Sequence, residues 1–264
     1  SAICGEGAQN AIDMAVEEIN GGDSGYKIEI VNGGKVADDA KDAKQAMNAY
    51  NKVMADSPEA IVGSFFSSVT LPMAEQASKD GMLLLATGAT NADVTLKGDT
   101  IFRNCFIDPY QGEKMATYAS EKLGAKTAAV FYQTGNDYSE GLMNAFVEKA
   151  KALGIEIVDS EAFAEGDKDF KAQMTNIAAK APDVVFAPIY YAEAGLAITA
   201  ARAAGCTATF MGGDGFGSVK NYASADDLEG SVYCSGYAPG TESVSEFEKD
   251  YCETYKVDTV PNMF

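Results

Sequence analysis

Four short segments of this 264-residue chain concentrate residue types that hold small polar molecules. Residues 63–70 (GSFFSSVT) place hydroxyls just ahead of a helical pattern, where unpaired backbone N–H groups make a seat for a carboxylate. Ser67 is the leading candidate there, although Ser67 or Ser68 also suits a plain helix N-cap. Residues 86–91 (ATGATN) are again small and hydroxylated: Gly88 permits close approach to its backbone and Thr90 adds a hydroxyl, in what is otherwise an ordinary loop. Residues 186–193 (FAPIYYAE) carry Tyr190 and Tyr191, which suit stacking on or hydrogen bonding to a ligand, or else one core and one surface position. Residues 210–218 (FMGGDGFGS) surround Asp214 with small residues, so its carboxylate is expected at a loop tip within reach of a cation. The glycines do not make a phosphate loop, because no Gly-Lys-Ser/Thr follows and the acid in their midst repels phosphate. Hydroxyls and backbone donors in the first pair of segments, rings and a carboxylate in the second, together suit a zwitterion. Burying both its charges demands dense hydrogen bonding.

Composition narrows the chemistry further. The chain has no histidine, which removes Ser-His-Asp and Cys-His catalytic pairs and histidine metal ligands. A general base at neutral pH would have to be a perturbed carboxylate, Lys or Cys. No nucleophile and base stand at a recognisable spacing and no cofactor loop is present, so an enzyme is not expected, nor a cofactor or metal. Cys4, Cys105, Cys206, Cys234 and Cys252 contain no C-x-x-C, so zinc-ribbon and thioredoxin-type sites are excluded. Twenty Lys and Arg against 39 Asp and Glu leave a net charge of -19. Such a surface repels nucleic acid and anionic lipid headgroups, and otherwise simply favours solubility. No apolar run approaches the roughly 18 residues that a membrane span needs.

Positioning these segments falls to alternating helices and strands. Residues 6–20 place Ala8, Ala11, Ile12, Ala15, Val16 and Ile19 on one helical face, and residues 26–31 alternate as a strand does. Helix 37–55, strand 60–66, helix 69–79, strand 82–87 and strand 100–107 follow. The pattern restarts with helix 111–123, strand 127–132, helix 139–153, strand 156–159, helix 170–180, strand 183–189, helix 192–204 and strand 209–211. Strand 230–236 and helix 244–255 close the chain. Repeated βα units imply parallel sheets wrapped by helices, here an α/β protein of two lobes meeting near residues 107–110. In open α/β sheets ligands bind beyond the carboxyl ends of strands, where the four segments fall.

Short motifs run along the chain: Cys4 with Ala11, residues 15–20 (AVEEIN), 63–72, Phe102-Arg103, 108–112 (DPYQG), 137–141 (DYSEG), 166–170 (GDKDF), 189–193, 213–215 (GDG) and 228–230 (LEG). In their order and spacing the chain resembles the leucine/isoleucine/valine-binding proteins, solute receptors of ABC importers. The resemblance spans nearly the whole chain and implies the type I periplasmic-binding fold: two doubly wound parallel-sheet lobes joined by a hinge. Residues 1–106 would form lobe 1, 107–234 lobe 2, and 235–264 a return into lobe 1. Relative to that pattern the chain reads as truncated at both ends, without the first strand and the C-terminal remainder.

Carried over by position, the resemblance implies a ligand between the lobes. Ser67, Gly88 and Thr90 would take its carboxylate, with the Gly88 carbonyl also open to the ammonium. Tyr138, Tyr190 and Asp214 would close over it, Asp214 as the ammonium partner. Cys4 stands where an aromatic often covers the ligand side chain, and Phe65 and Phe66 would narrow the cleft unless one is core. Cys105, Phe106 and Cys234 would lie at the hinge, where a Cys105–Cys234 disulfide would stiffen closure if the Cβ atoms stand near 4.5 Å. The implied function is capture of a small aliphatic amino acid outside the cytoplasm, by a cell-surface lipoprotein or periplasmic receptor, for delivery to an ABC permease. Aliphatic amides, aromatic acids or other small carboxylates are the alternative ligands. A ligand-sensing domain of the same fold is the alternative role.

Overall fold

The computed structural model describes residues 2–31, 38–236 and 238–260, with side chains from Gly5 onward. These separate into two compact units: residues 2–89, 93–105 and 238–260 form one, residues 90–92 and 106–236 the other. The chain passes between them at Ala89–Thr90, Ala92–Asp93 and Cys105–Phe106, and returns to the first unit after Gly236.

In the first unit, α1 (Ala2–Gly21) forms on the expected apolar stripe, yet none of its described side chains is fully buried. The strand expected at 26–31 is absent, since alternation makes a strand only where a partner backbone is available. Instead the Asn20 amide brackets Ile28, accepting from its N–H at 2.7 Å and donating to its carbonyl at 2.8 Å. Tyr26, Ile28 and Ile30 stay exposed.

Helix α2 (Ala43–Met54) starts later than its hydrophobic pattern suggests. The Asp42 carboxylate caps it by accepting from the Gln45 N–H, while Ala40 and Lys41 hold positive φ. Residue 37, where the helix was expected to begin, lies outside the described residues. Strand β1 (Ala60–Val62) ends at Gly63, which takes a φ of +131° while its N–H still donates to the Leu85 carbonyl at 2.9 Å. Helix α3 (Ser67–Asp80) follows, then β2 (Leu83–Ala86) and β3 (Ile101–Arg103). The strands pair in parallel in the order β1-β2-β3. Val69, Met73 and Ala77 of α3 are buried with Tyr50 of α2, whose hydroxyl donates to Asp80 at 2.8 Å.

The second unit alternates without interruption: α4 (Asp108–Glu121), β4 (Thr127–Gln133), α5 (Asp137–Ala152), β5 (Glu156–Phe163), α6 (Lys171–Lys180), β6 (Val184–Phe186), α7 (Tyr191–Ala203), β7 (Thr209–Gly212), α8 (Ala225–Leu228) and β8 (Val232–Tyr233). All five strands are parallel, ordered β5-β4-β6-β7-β8. Successive strand residues face opposite ways, and both faces are covered. Phe131 and Val185 join Met174, Ile177 and Ile198 of α6 and α7 on one side. Next door in sequence, Phe186 stacks on Phe146 of α5 with ring centroids 4.1 Å apart. This is the doubly wound arrangement, with near-continuous apolar strands such as β6 buried throughout. The closing helix α9 (Ser245–Tyr255) belongs to the first unit and packs on α1: Asn10 Nδ2 donates to the Tyr251 hydroxyl at 3.0 Å, and the Tyr255 hydroxyl donates to the Asn10 carbonyl at 2.8 Å.

The disulfide considered for Cys105 and Cys234 is not formed; both carry thiols. Cys234 lies just past β8, and its thiol is pushed up to about 11 by burial and by the nearby Asp214 charge.

Helices α4 and α5 meet at Gly112. A methyl group there would stand 2.7 Å from both the Ala145 Cβ and the Phe146 backbone nitrogen. Because backbone cannot yield as a side chain end does, Gly112→Ala is expected to cost about 1–3 kcal/mol, lowering the thermal midpoint by several degrees. Calorimetric unfolding checks this; an unchanged midpoint would show that the helices separate freely.

Candidate functional site

Tyr138, Tyr190 and Asp214 lie far apart in sequence but follow β4, β6 and β7, three neighbours in the second sheet. Their segments therefore emerge side by side at the carboxyl edge. The Tyr138 and Tyr190 rings stack at 4.9 Å with an interplanar angle of 16°. The Tyr138 hydroxyl donates to Asp214 Oδ1 at 2.9 Å and accepts from the Gly215 N–H at 3.0 Å, and that N–H also reaches Asp214 Oδ1.

The sequence placed Asp214 at an open loop tip; it is 1% exposed. The flanking glycines serve a different purpose, which is to admit Tyr138. A Cβ on Gly213 would come within 2.7 Å of the Tyr138 hydroxyl, and one on Gly215 within 2.9 Å. Tyr190 and Tyr191 are both buried rather than split between core and surface, Tyr191 packing on Tyr222 at 5.3 Å.

Asp214 Oδ2 is buried with no hydrogen-bond partner among the described residues. Burial therefore raises the carboxyl to about 7, against the opposing hydrogen bond from Tyr138. Burial likewise pushes Tyr138 well above its ordinary value, with Asp214 adding to the effect, so the hydroxyl stays a proton donor.

Gln111 of α4 joins this group, although the sequence reading passed over it as the first residue of a helix. It is fully buried, and its Oε1 accepts from the Asp214 N–H at 2.9 Å. Its Nε2 has no hydrogen-bond partner among the described residues. The signal was an uncharged polar residue inside the Asp108–Gly112 motif, on a helix face otherwise lined by Gly112, Met115 and Ala116.

Thr90, expected with the first lobe, is part of the second unit. Its carbonyl accepts from the Asp108 N–H at 2.9 Å, while Asn91 Nδ2 donates to the Asp137 carbonyl at 3.1 Å. Asp108 is itself buried at the start of α4.

Within the first unit, Ser67 opens α3. It is not the N-cap: Phe66 holds that position, and its own side chain makes no capping hydrogen bond. The Ser67 side chain is buried in the first turn, where backbone N–H groups give the helix its positive end. The Phe66 carbonyl accepts from the Thr70 hydroxyl at 2.8 Å. Of the two phenylalanines expected to narrow the cleft, Phe66 is core, 3% exposed, with Lys41 Nζ 4.5 Å from its ring centroid. Phe65 is half-buried and lies against Gly88, where an added Cβ would be 3.0 Å from its ring. The side chain of Cys4 lies outside the described residues. Among the described residues no three or more Cys, Asp or Glu side chains cluster to hold a metal, and no helix is long and apolar enough to cross a membrane.

Comparison with known proteins identifies the family. The whole chain, residues 1–264, matches the family described as periplasmic binding protein. The chain belongs to that family. Among its relatives is the Leu/Ile/Val-binding protein BraC3 of Rhizobium johnstonii, 34% identical over 245 residues that cover 92% of this chain and 65% of that protein. The Leu/Ile/Val-binding protein homolog 3 of Brucella melitensis is 31% identical over 264 residues, covering 98% and 70%. The chain thus spans about two thirds of these relatives' length. A leucine-binding protein from Thermotoga maritima superposes with a TM-score of 0.89 at 30% identity, over 98% of this chain and 74% of that one. A branched-chain amino acid transporter substrate-binding protein from Streptococcus pneumoniae, solved with isoleucine, gives a TM-score of 0.86 at 31% identity, over 97% and 74%. The family's members are named as binding proteins, and the fold expected from the sequence, the type I periplasmic-binding fold, is the one observed.

The buried carboxyl sets a pH signature. Asp214 is raised from 3.8 in the unfolded chain to about 7 in the fold, so the folded state holds the extra proton between those values. Its contribution to stability is therefore greatest at low pH, falls as pH rises from about 4 to about 7, and is level above. Unfolding free energy measured across that range for the protein and for Asp214→Asn should differ by a gap that changes in this sense. A pH-independent gap would mean the carboxyl titrates normally.

Proposed function

We propose that this chain is the ligand-capturing part of an extracytoplasmic receptor for an ABC importer, and that it takes a branched-chain or similar aliphatic L-amino acid. The observation that carries the reading is Asp214 Oδ2, a buried acceptor with no hydrogen-bond partner among the described residues, beside the Tyr138–Tyr190 stack. A buried carboxylate oxygen left unbonded is costly, and a ligand ammonium is the group that satisfies it by charge and hydrogen bonding together. Its relatives' names, Leu/Ile/Val-binding among them, support the same ligand class.

In this reading the ammonium is held by Asp214, with Tyr138 fixing the carboxylate from its other oxygen and Tyr190 supplying ring surface. The ligand carboxylate goes to the Ser67 hydroxyl and the positive end of α3, and to the segment from Gly88 to Thr90. Each half of the zwitterion is recognised by a different segment, so binding favours the state in which both engage it. No bond is made or broken. The captured amino acid is then handed to a membrane permease, and the receptor works outside the cytoplasm as a cell-surface lipoprotein or in a periplasm.

Titration calorimetry of the full-length protein against the twenty amino acids, simple amides and aromatic acids tests this. A branched-chain amino acid should bind and be recovered unchanged. Asp214→Asn should weaken it at least about a hundredfold, the scale of an ion pair broken in a buried site. Binding only to ligands without an ammonium would overturn the amino-acid reading, and a chemically altered ligand would make the protein an enzyme.

Ammonium binding also favours the ionised carboxylate, so capture below about pH 7 should release protons and affinity should rise with pH up to that value. Calorimetry in buffers of different ionisation enthalpy reads this directly. Equal heats in every buffer at about pH 6 would show that Asp214 is already charged before the ligand arrives.

A further inference from the structure

Building on the reading that Asp214 receives a ligand ammonium, we propose that Gln111 is the positioning residue that keeps the Asp214 carboxylate oriented and negatively charged for that group. Gln111 is fully buried, and a buried primary amide is tolerated only where its polar ends are used. Its Oε1 is used on the Asp214 N–H at 2.9 Å, which ties the loop after β7 to α4. Among the described residues its Nε2 and the Asp214 Oδ2 are a buried donor and a buried acceptor that meet no partner at full hydrogen-bond geometry, while the Gln111 side chain acts on the Asp214 carboxyl as a hydrogen bond that favours its charged form. The two residues, joined at their other ends, thus carry a complementary donor and acceptor, and a carboxylate oxygen with two lone pairs accepts from the amide and from a ligand ammonium together.

The surroundings leave this task to Gln111. From α5 the Tyr138 hydroxyl donates to Oδ1, not Oδ2, and Tyr190 before α7 supplies a ring. Asp108 on α4 adds a second acidic group close enough to act on Tyr138. Cys234 beyond β8 is held as a neutral thiol by burial and by Asp214, and Lys114 of α4 acts on that thiol. A neutral amide supplies a donor to the carboxylate without cancelling the charge that the ligand must meet.

The test uses the full-length protein with L-leucine as probe and two variants. Gln111→Glu keeps an acceptor for the Asp214 N–H but exchanges the donor for an acid; Gln111→Met removes both polar ends at similar volume. Carboxyl NMR of carbon-13-labelled aspartate, assigned with Asp214→Asn, follows Asp214 directly, and calorimetry follows leucine affinity over the same pH range. The Asp214 midpoint should rise in both variants, by about one unit or more in Gln111→Glu, with leucine affinity at pH 7 about tenfold or more weaker and partly regained at higher pH. A midpoint unmoved in both variants, even with weaker binding, would reduce Gln111 to a packing role and overturn the proposal. Should Gln111→Glu fail to fold, the Gln111→Met midpoint decides alone. Absence of leucine binding to the unaltered protein would count against the amino-acid reading, while the midpoint would still judge Gln111.

Discussion

A buried carboxylate, with one oxygen hydrogen-bonded and the other without a full hydrogen bond among the described residues, is the constraint around which the second unit is organised. Asp214 Oδ1 is bonded to the Tyr138 hydroxyl and to the Gly215 N–H, and the Asp214 N–H is itself bonded to Gln111. Such an arrangement holds the carboxyl rigidly with no counter-charge hydrogen-bonded to it. The cost is a carboxyl raised to about 7 by burial, and the return is a fixed acceptor that the proposed ligand ammonium would complete. Recognition by a preformed acceptor of this kind loses little entropy on binding, because the protein side is already ordered.

That rigidity is built from the sheet. Parallel strands place every following segment at one edge, and the order β5-β4-β6-β7-β8 makes the segments bearing Tyr138, Tyr190 and Asp214 neighbours. Helices on both faces bury strands such as β6 completely, so the edge has a firm base. The glycines around Asp214 complete the fit by making room for one hydroxyl. In the first unit, helix α3 has Phe66, which cannot cap it, at its N-cap and the buried Ser67 as its first residue, at the positive end.

The βα alternation, the parallel class and the strand ends carrying the candidate residues were all legible, because apolar periodicity and glycine breaks are local properties of the chain. Less legible were segments whose state depends on a distant partner. Residues 26–31 alternate as a strand but find no ladder, and strand 230–236 shortens to Val232–Tyr233 at the edge of its sheet. Helix α2 begins late because a carboxylate and two positive-φ residues, not hydrophobicity, set its start.

By itself, the sequence determined the classes of residue available: no histidine, strong acidity, hydroxyls at two strand ends, tyrosines and one aspartate at others. Only the tertiary structure decided their states. It buried Asp214 instead of exposing it, gave the N-cap of α3 to Phe66 and not to a serine, put Phe66 in the core, and drew Gln111 into the site. The physical reason is that burial and hydrogen-bond completion are shared between residues far apart in sequence. A residue's type fixes what it is able to donate or accept, and packing fixes which of those capacities remain unfilled.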